Sequence, residues 1–421
     1  MPCEQTAKER FIHGDDYSFL QEKIKDEAGS PKTLRKKIFR MILLGFFFGI
    51  VACFTFFAFK PWLEGILGQN TEEIFIPEDE ITVEEDGAQQ QEEDAQEGLQ
   101  TETEEQVQKK LLKTLQNTAK DLRPGIVLVS GQRKQEENTQ IKRTSGVIIA
   151  DNGSELLVVS QILGSKIKST KVTFADGSEC AATWKMYDEN MKIGICAVSK
   201  EDIANETWGQ IEIVQLGNSF RTETGDAGIV IGVDEDGDQK VSFGFISTGD
   251  EKIDIADGNI GLLRVDVAGA VFRNGMVFNQ DGKMIGIIGM TEGGKQTHVM
   301  AYSISDIKKE MELMSNGKVV PFTGIWGIVL PDELKAEGLE AGICVHEIDT
   351  DSAAMEAGIQ CGDVIVKVGD TEVSSMKEYR TALLKEQGKH TVVLTGLRKG
   401  ADNKYVEMDF SVVIDRKQMT D

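Results

Sequence analysis

Short apolar runs separated by turn sequences dominate the chain from residue 126 onward. Turns such as Asp151-Asn152-Gly153 and Asp176-Gly177 lie between them. Many short strands at this spacing predict a β-barrel or sandwich, and not a fold in which strands alternate with helices. The predicted strands are Ile126–Ser130, Gly146–Ala150, Leu156–Ser160, Lys171–Phe174, Ile193–Val198, Ile211–Val214, Gly228–Gly232, Gln239–Ser247, Leu262–Val267 and Met284–Met290.

Two local patterns frame this region. Before the strands, leucines at positions 111, 112, 115 and 122 have helical spacing, which predicts a helix over 108–122 that Pro124 ends. Near its end, apolar residues alternate on both sides of Asp281-Gly282, and such a dipeptide between apolar runs predicts a β-hairpin.

The longest apolar run lies near the N-terminus. Residues Met41–Phe59 carry no charge, and 19 residues of helix span about the hydrocarbon core of a bilayer. We predict one transmembrane helix over 38–62. Five basic residues precede the run and only Lys60 closely follows it, so residues 1–37 are predicted to be a cytoplasmic tail and the rest extracytoplasmic.

An acidic segment follows the predicted membrane helix. Between Glu72 and Glu105 there are 15 acidic residues and no Lys or Arg. Such a sequence buries too little apolar surface to offset the entropy of ordering it. We therefore predict a disordered, extended linker over 63–107, in which Ile74-Phe75-Ile76 is one of two apolar patches.

The composition narrows the partners and cofactors. A net charge of −24 argues against nucleic acid as a partner. The six cysteines show no C-x-x-C spacing, so we expect no metal site, and nothing in the sequence predicts a cofactor. Two interpretations of four cysteines stay open. They form the disulfides Cys180–Cys196 and Cys344–Cys361, or they are isolated small apolar residues.

Several segments together resemble the HtrA family, chymotrypsin-like serine proteases with a PDZ domain. Ser145–Ile149 with its following turn, Val172–Gly177 and the stretch Leu263–Met290 are similar to the family's strands around its catalytic residues. In this alignment the histidine position holds Gln161 and the aspartate position holds Lys192. The serine position holds Arg273, or Asn274 if the gap shifts by one.

These replacements remove the chemistry that acyl transfer needs. A nucleophile, an adjacent base and a group that orients the base are all missing, because glutamine is not a base and both lysine and arginine are cationic. Val271-Phe272 also replaces the Gly-Asn of the family's oxyanion hole. Two readings of the old cleft stay open: Lys192 and Arg273 make it a cationic site for a carboxylate, or it is vestigial and its charges are paired or solvated.

The C-terminal quarter resembles an HtrA-type PDZ domain. Ser352–Ile365 is similar to the family's Ser-Pro-Ala-x-x-Ala-Gly-Leu-x-x-Gly-Asp-Val-Ile, and Met376–Lys385 is the predicted groove helix. Backbone amides of the carboxylate loop would capture a peptide C-terminus. The predicted peptide-binding residues are Ile325, Trp326, Gly327 and Ile328 of that loop with Arg380 and Leu384 of the helix.

We expect a mainly β chain: the N-terminal transmembrane helix, then, as the resemblance implies, a chymotrypsin-like double β-barrel over 108–318 and an α+β PDZ domain over 319–421. We expect a membrane-anchored pseudoprotease that binds protein C-termini or unfolded polypeptides as a scaffold or sensor. Two alternatives are an active serine endopeptidase of envelope quality control and a structural oligomer, since the resemblance also implies a homotrimer.

Overall fold

The computed structural model describes residues 71–80, 104–134, 139–164, 167–234, 236–267, 272–289 and 297–414. The predicted cytoplasmic tail and transmembrane helix lie outside these residues. Among the residues described, no helix is long and apolar enough to cross a membrane.

Twelve strands form two closed barrels of the same topology. The first has the order β1-β2-β3-β6-β5-β4 and the second β7-β8-β9-β12-β11-β10, which is the same order shifted by six strands. These strands are β1 Ile126–Lys134, β2 Thr139–Asp151, β3 Glu155–Gln161, β4 Ile167–Thr173, β5 Glu179–Asp188, β6 Ile193–Ser199, β7 Ala227–Val233, β8 Gln239–Ile255, β9 Gly258–Val267, β10 Asn274–Asn279, β11 Met284–Ile288 and β12 His298–Ser303.

The six strands after the barrels make one open antiparallel sheet, in the order β13-β14-β15-β17-β18 with β16 paired to β15. They are β13 Ile325–Val329, β14 Ile343–Ile348, β15 Val364–Val368, β16 Thr371–Glu372, β17 Thr391–Lys399 and β18 Tyr405–Val413. The helices are α1 Glu104–Asp121, α2 Asn205–Trp208, α3 Ile304–Ser315, α4 Asp332–Ala336, α5 Ala353–Glu356 and α6 Met376–Lys385, with single 3-10 turns at Arg123–Gly125, Lys200–Asp202 and Ser219–Arg221.

Burial explains why the central strands are continuously apolar. On β3, Leu156 and Val158 point into the first barrel, whereas Leu157 and Val159 belong to the core shared with the second barrel and α3. Both faces are therefore removed from water, and alternation of apolar with polar residues is not needed. The α1 helix closes one edge of this shared core with Leu115, which is 2% exposed.

The sequence predictions hold for most elements and fail at a few. The helix over 108–122, the hairpin at Asp281-Gly282 and the PDZ helix are confirmed. The predicted strand Ile211–Val214 is wrong: it is irregular chain held by a bond from the Val214 N–H to the Ile148 oxygen at 2.9 Å. Strands β5 and β12 and helix α3 were not among the predicted elements, whereas β10 and β11 are the two strands of the predicted hairpin.

Part of the predicted disordered linker is ordered against α3. We name residues 71–80 the strap. The Ile74 N–H donates to Asn316 Oδ1 at 2.8 Å, and Asn316 Nδ2 donates back to the Ile74 oxygen at 2.7 Å. Lys308, which is buried, pairs with Asp79 at 2.7 Å. The linker prediction is thus wrong for the strap, because one apolar patch and matched polar partners offset the entropy cost of ordering it.

Candidate functional site

The histidine-like position lies at the end of a buried strand. Gln161 is the last residue of β3, and the next N–H, that of Ile162, donates to the Lys192 oxygen at 2.9 Å. The Gln161 amide donates through Nε2 to the Ile288 oxygen on β11. This bond fixes the side chain to the second barrel, and an amide so held has no proton-accepting role.

The serine-like position begins strand β10. Phe272 is 2% exposed and fills the interior of the second barrel, which fixes the backbone beside it. The Arg273 N–H donates to the Val233 oxygen at 2.9 Å. In an oxyanion hole the corresponding N–H must point to the substrate. Here a barrel carbonyl uses it, and the exposed Arg273 side chain supplies no nucleophile.

The neighbouring residues are structural. Asn274 is buried, and its Oδ1 accepts the Ser145 N–H at 3.0 Å, which ties the two barrels together. Gly275 has φ +152°, and a Cβ there would lie 2.4 Å from the Ile231 oxygen. The glycine of the family's Ser-Gly-Gly is therefore retained for packing, whereas the serine is not.

The aspartate-like position forms a local ion pair. Lys192 has φ +59°, and its ammonium pairs with the buried carboxylate of Glu189. The pair satisfies the lysine locally. The hypothesis of a cationic cleft required both Lys192 and Arg273. The alternative, in which the charge is paired, holds for Lys192.

The cleft between the barrels holds about 340 Å³ and is lined by both Gln161 and Arg273. Its charges are mixed, so it has no strong preference for one sign. The charged residues that line it are Lys142, Arg143, Arg273, Asp234 and Asp236. His298, the one histidine between residues 108 and 318, lies on β12 opposite Asp266 and does not line this cleft.

A cluster of convergent backbone amides lies in the PDZ domain. Three successive N–H groups, of Thr323, Gly324 and Ile325, donate to the carboxylate of Asp257 at 2.6, 2.9 and 3.0 Å. The Thr323 hydroxyl donates to the same carboxylate. We name these donors the amide nest. Gly324 has φ +87°, which turns the amides inward.

The nest lies upstream of the predicted carboxylate loop. The predicted loop has Gly327 as its glycine, whereas the nest contains Gly324, three residues earlier. A Cβ on Gly327 would lie 2.3 Å from Ile343 Cγ2 and 2.5 Å from Met376 Sδ, so this glycine serves close packing of β13. Of the predicted loop only Ile325 donates to the carboxylate, and Trp326 donates through its indole N–H to Asp349 at 2.7 Å.

The two predicted helix residues face the barrels. Arg380 donates to Glu310 of α3 at 2.6 Å, and its side chain is 11% exposed. Leu384 is buried in the core that the barrels share with α3. Neither side chain is available to a peptide in this arrangement, because α6 uses one face for its own sheet and another for α3.

These contacts define what we name the interdomain seam: Asp188, Asp257, Glu310 and Arg380. All three acids are buried, and burial raises the pKa of each carboxyl. For Glu310 the Arg380 guanidinium opposes this rise, and for Asp257 the nest donors oppose it. Sequence reasoning missed Asp257 and Glu310, because a lone acid in a turn or helix gives no signal before its partner is known.

Comparison with known proteins matches this architecture. The PDZ domain family matches residues 345–396. The serine protease Do-like HtrA of Bacillus subtilis (strain 168) is 23% identical over 340 residues, which cover 72% of this chain and 73% of that protein. HtrB of the same strain is 32% identical over 142 residues, 30% of this chain and 31% of that protein.

A solved structure shows the same fold. The HtrA-type protease AlgW with tripeptide superposes with a TM-score of 0.53 at 20% identity, covering 72% of this chain and 98% of that one. Two closed barrels followed by a PDZ domain define the class of chymotrypsin-like proteases with a PDZ module. The chain is similar to the HtrA family within that class in both sequence and fold.

Proposed function

We propose that this protein is a pseudoprotease that binds protein C-termini or unfolded segments through its PDZ domain. It is anchored in the membrane by residues 38–62, with its barrels and PDZ domain outside the cytoplasm. The observation that carries the loss of proteolysis is the bond from the Arg273 N–H to the Val233 oxygen. The serine position therefore offers neither a nucleophile nor a free N–H to stabilise an oxyanion.

The remaining triad positions support the same conclusion. Gln161 is bonded to the second barrel, and Lys192 is paired with Glu189. Among the described residues that line the cleft, Thr144 carries the one hydroxyl, and none of them is a histidine. Loss of all triad members leaves only the small residual rate that binding and an oxyanion hole supply, and the Arg273 N–H is already bonded to the Val233 oxygen.

A labelling experiment tests the loss of chemistry. Purified full-length protein should neither cleave unfolded casein nor react with a fluorophosphonate probe, with trypsin as the positive control. The variant Arg273→Ser should stay unreactive, because it restores a hydroxyl but neither a base nor a free amide. Probe labelling that maps to a serine between residues 108 and 320 would contradict the proposal.

A tagging experiment tests the topology. The basic residues before Met41 support a cytoplasmic N-terminus through the positive-inside rule. A tag after residue 421 should be accessible to an antibody on spheroplasts or intact cells, and a tag before residue 1 should not. The opposite pattern would overturn the proposed orientation without affecting the argument on catalysis.

A further inference from the structure

The amide nest has the chemistry of a carboxylate site. Three main-chain N–H groups and the Thr323 hydroxyl converge on one anion, and Tyr379 lies behind them with its hydroxyl 2.7 Å from Thr323 Oγ1. Thr323, Ile325 and Tyr379 are all fully buried. Charge-assisted bonds in such a dry pocket are strong, and a nest of this kind captures terminal carboxylates.

Asp257 binds the nest with the same groups that a chain terminus would use. Asp257 offers its carboxylate to the nest, and its own N–H donates to the Ile325 oxygen at 2.7 Å. Ile325 begins β13, an edge strand whose other side pairs with β14. A peptide that adds to a sheet edge with its C-terminus in a nest uses the same two groups, an N–H and a carboxylate.

Asp257 is held there by the β8–β9 hairpin. It lies at the turn between Ile255 and Gly258, is 4% exposed and has φ +65°. A left-handed conformation is unfavourable for a non-glycine residue, although aspartate adopts it more readily than most. Deep burial and four donors distinguish this aspartate from an ordinary exposed turn residue.

We propose that Asp257 is a built-in ligand of the PDZ carboxylate site, so that a peptide C-terminus binds only when the β8–β9 hairpin withdraws. This regulation rests on the proposed peptide-binding function. Withdrawal of Asp257 also removes its contacts with the PDZ domain across the interdomain seam. Peptide binding and the release of the PDZ domain from the barrels are therefore linked through one residue.

Chemical rescue tests the nest without knowledge of a peptide sequence. Asp257→Gly removes a CH₂–carboxylate and also suits the positive φ, and acetate has the size of the missing group. In full-length protein at neutral pH, acetate should raise the melting temperature of Asp257→Gly relative to chloride at equal ionic strength. Wild type and the matched control Asp254→Gly, which removes an exposed carboxylate from the same hairpin, should show no such difference.

Peptide titration tests the competition. The probes are fluorescent heptapeptides that end in Ala, Val, Leu, Ile or Phe, each as free acid and as amide. Free acids should bind Asp257→Gly at least about tenfold more tightly than wild type, because the competent state is no longer a minor one. Amides should gain nothing. The variant Asp257→Asn should bind the free acids about as weakly as wild type and more weakly than Asp257→Gly, since its side chain still fills the nest.

The two arms separate the inference from the proposed function. Acetate rescue without peptide binding to any variant would support Asp257 as the resident ligand and would remove peptide binding from the proposed function. Equal free-acid affinity of wild type and Asp257→Gly would overturn the inference, because the nest would then be open. Absence of acetate rescue in a folded Asp257→Gly, checked by circular dichroism, would overturn it as well.

Discussion

Arg380→Met perturbs the interdomain seam at its single arginine. Methionine keeps much of the aliphatic stem, which matters because a Cβ on Gly258 would lie only 2.9 Å from Arg380 Cδ. What the substitution removes is the guanidinium that donates to Glu310 at 2.6 Å. Glu310 is fully buried, and its Oε2 has no hydrogen-bond partner among the described residues.

The expected cost follows from this burial. Removing one partner of a buried ion pair leaves an uncompensated charge and typically costs about 3–5 kcal/mol. The same helix carries a matched control, Lys377. Its ammonium lies 3.4 Å from the Asp306 carboxylate, and its side chain is 47% exposed. Lys377→Met should cost at most about 1 kcal/mol, because solvent screens an exposed pair.

Hydrogen exchange of the full-length protein, read by mass spectrometry, measures these costs where they arise. Peptides that cover α3 and α6 report the free energy of local opening, so no two-state assumption for the whole chain is needed. Arg380→Met should increase exchange in both helices at neutral pH. Adding Glu310→Gln should recover part of the loss, because the orphaned charge is then absent.

The pH dependence has a defined sign. Burial raises the folded-state pKa of Glu310 above its ordinary value of 4.5, and Arg380 opposes the rise. A carboxyl with a raised folded-state pKa favours folding when protonated, so this contribution is lost as pH rises through the folded-state pKa. The pKa should rise further without Arg380, and the cost of Arg380→Met should shrink as pH is lowered from neutral. A cost equal to that of Lys377→Met, or independent of pH, would refute this reasoning.

Three further outcomes are expected from the packing. Gly327→Val should destabilise the PDZ sheet by about 1–3 kcal/mol through overpacking, seen as faster exchange in β13 and β14, and unchanged exchange would contradict it. Native alkylation mapped by mass spectrometry should label the exposed Cys361 but not Cys196, because burial raises the pKa of the Cys196 thiol to about 12; equal labelling would show that the first barrel is open. Asn316→Ala removes both bonds to the Ile74 backbone and should release the strap to faster exchange and proteolysis, with α1 unchanged as the internal control.

Much of the candidate site could be predicted from local sequence. Gln161 and Arg273 were identified by their neighbours, and the structure places both in one cleft. The resemblance to a PDZ domain predicted the helix Met376–Lys385 with its correct bounds, and the structure shows that Ser375 caps it. Strand runs and turns repeat at short range and predicted a β-barrel or sandwich, whereas the double barrel followed from the resemblance to the family.

Tertiary structure alone decided how the parts are used. The resemblance pointed to the loop around Gly327, and only the contacts with Asp257 show that the amides converge at Gly324. That aspartate lies 66 residues before Thr323 in the chain. Likewise the strap is ordered by Asn316, 242 residues from Ile74. Local sequence sets periodicity and turns, whereas a buried charge or an extended segment is stabilised by partners that only the folded chain brings within hydrogen-bond distance.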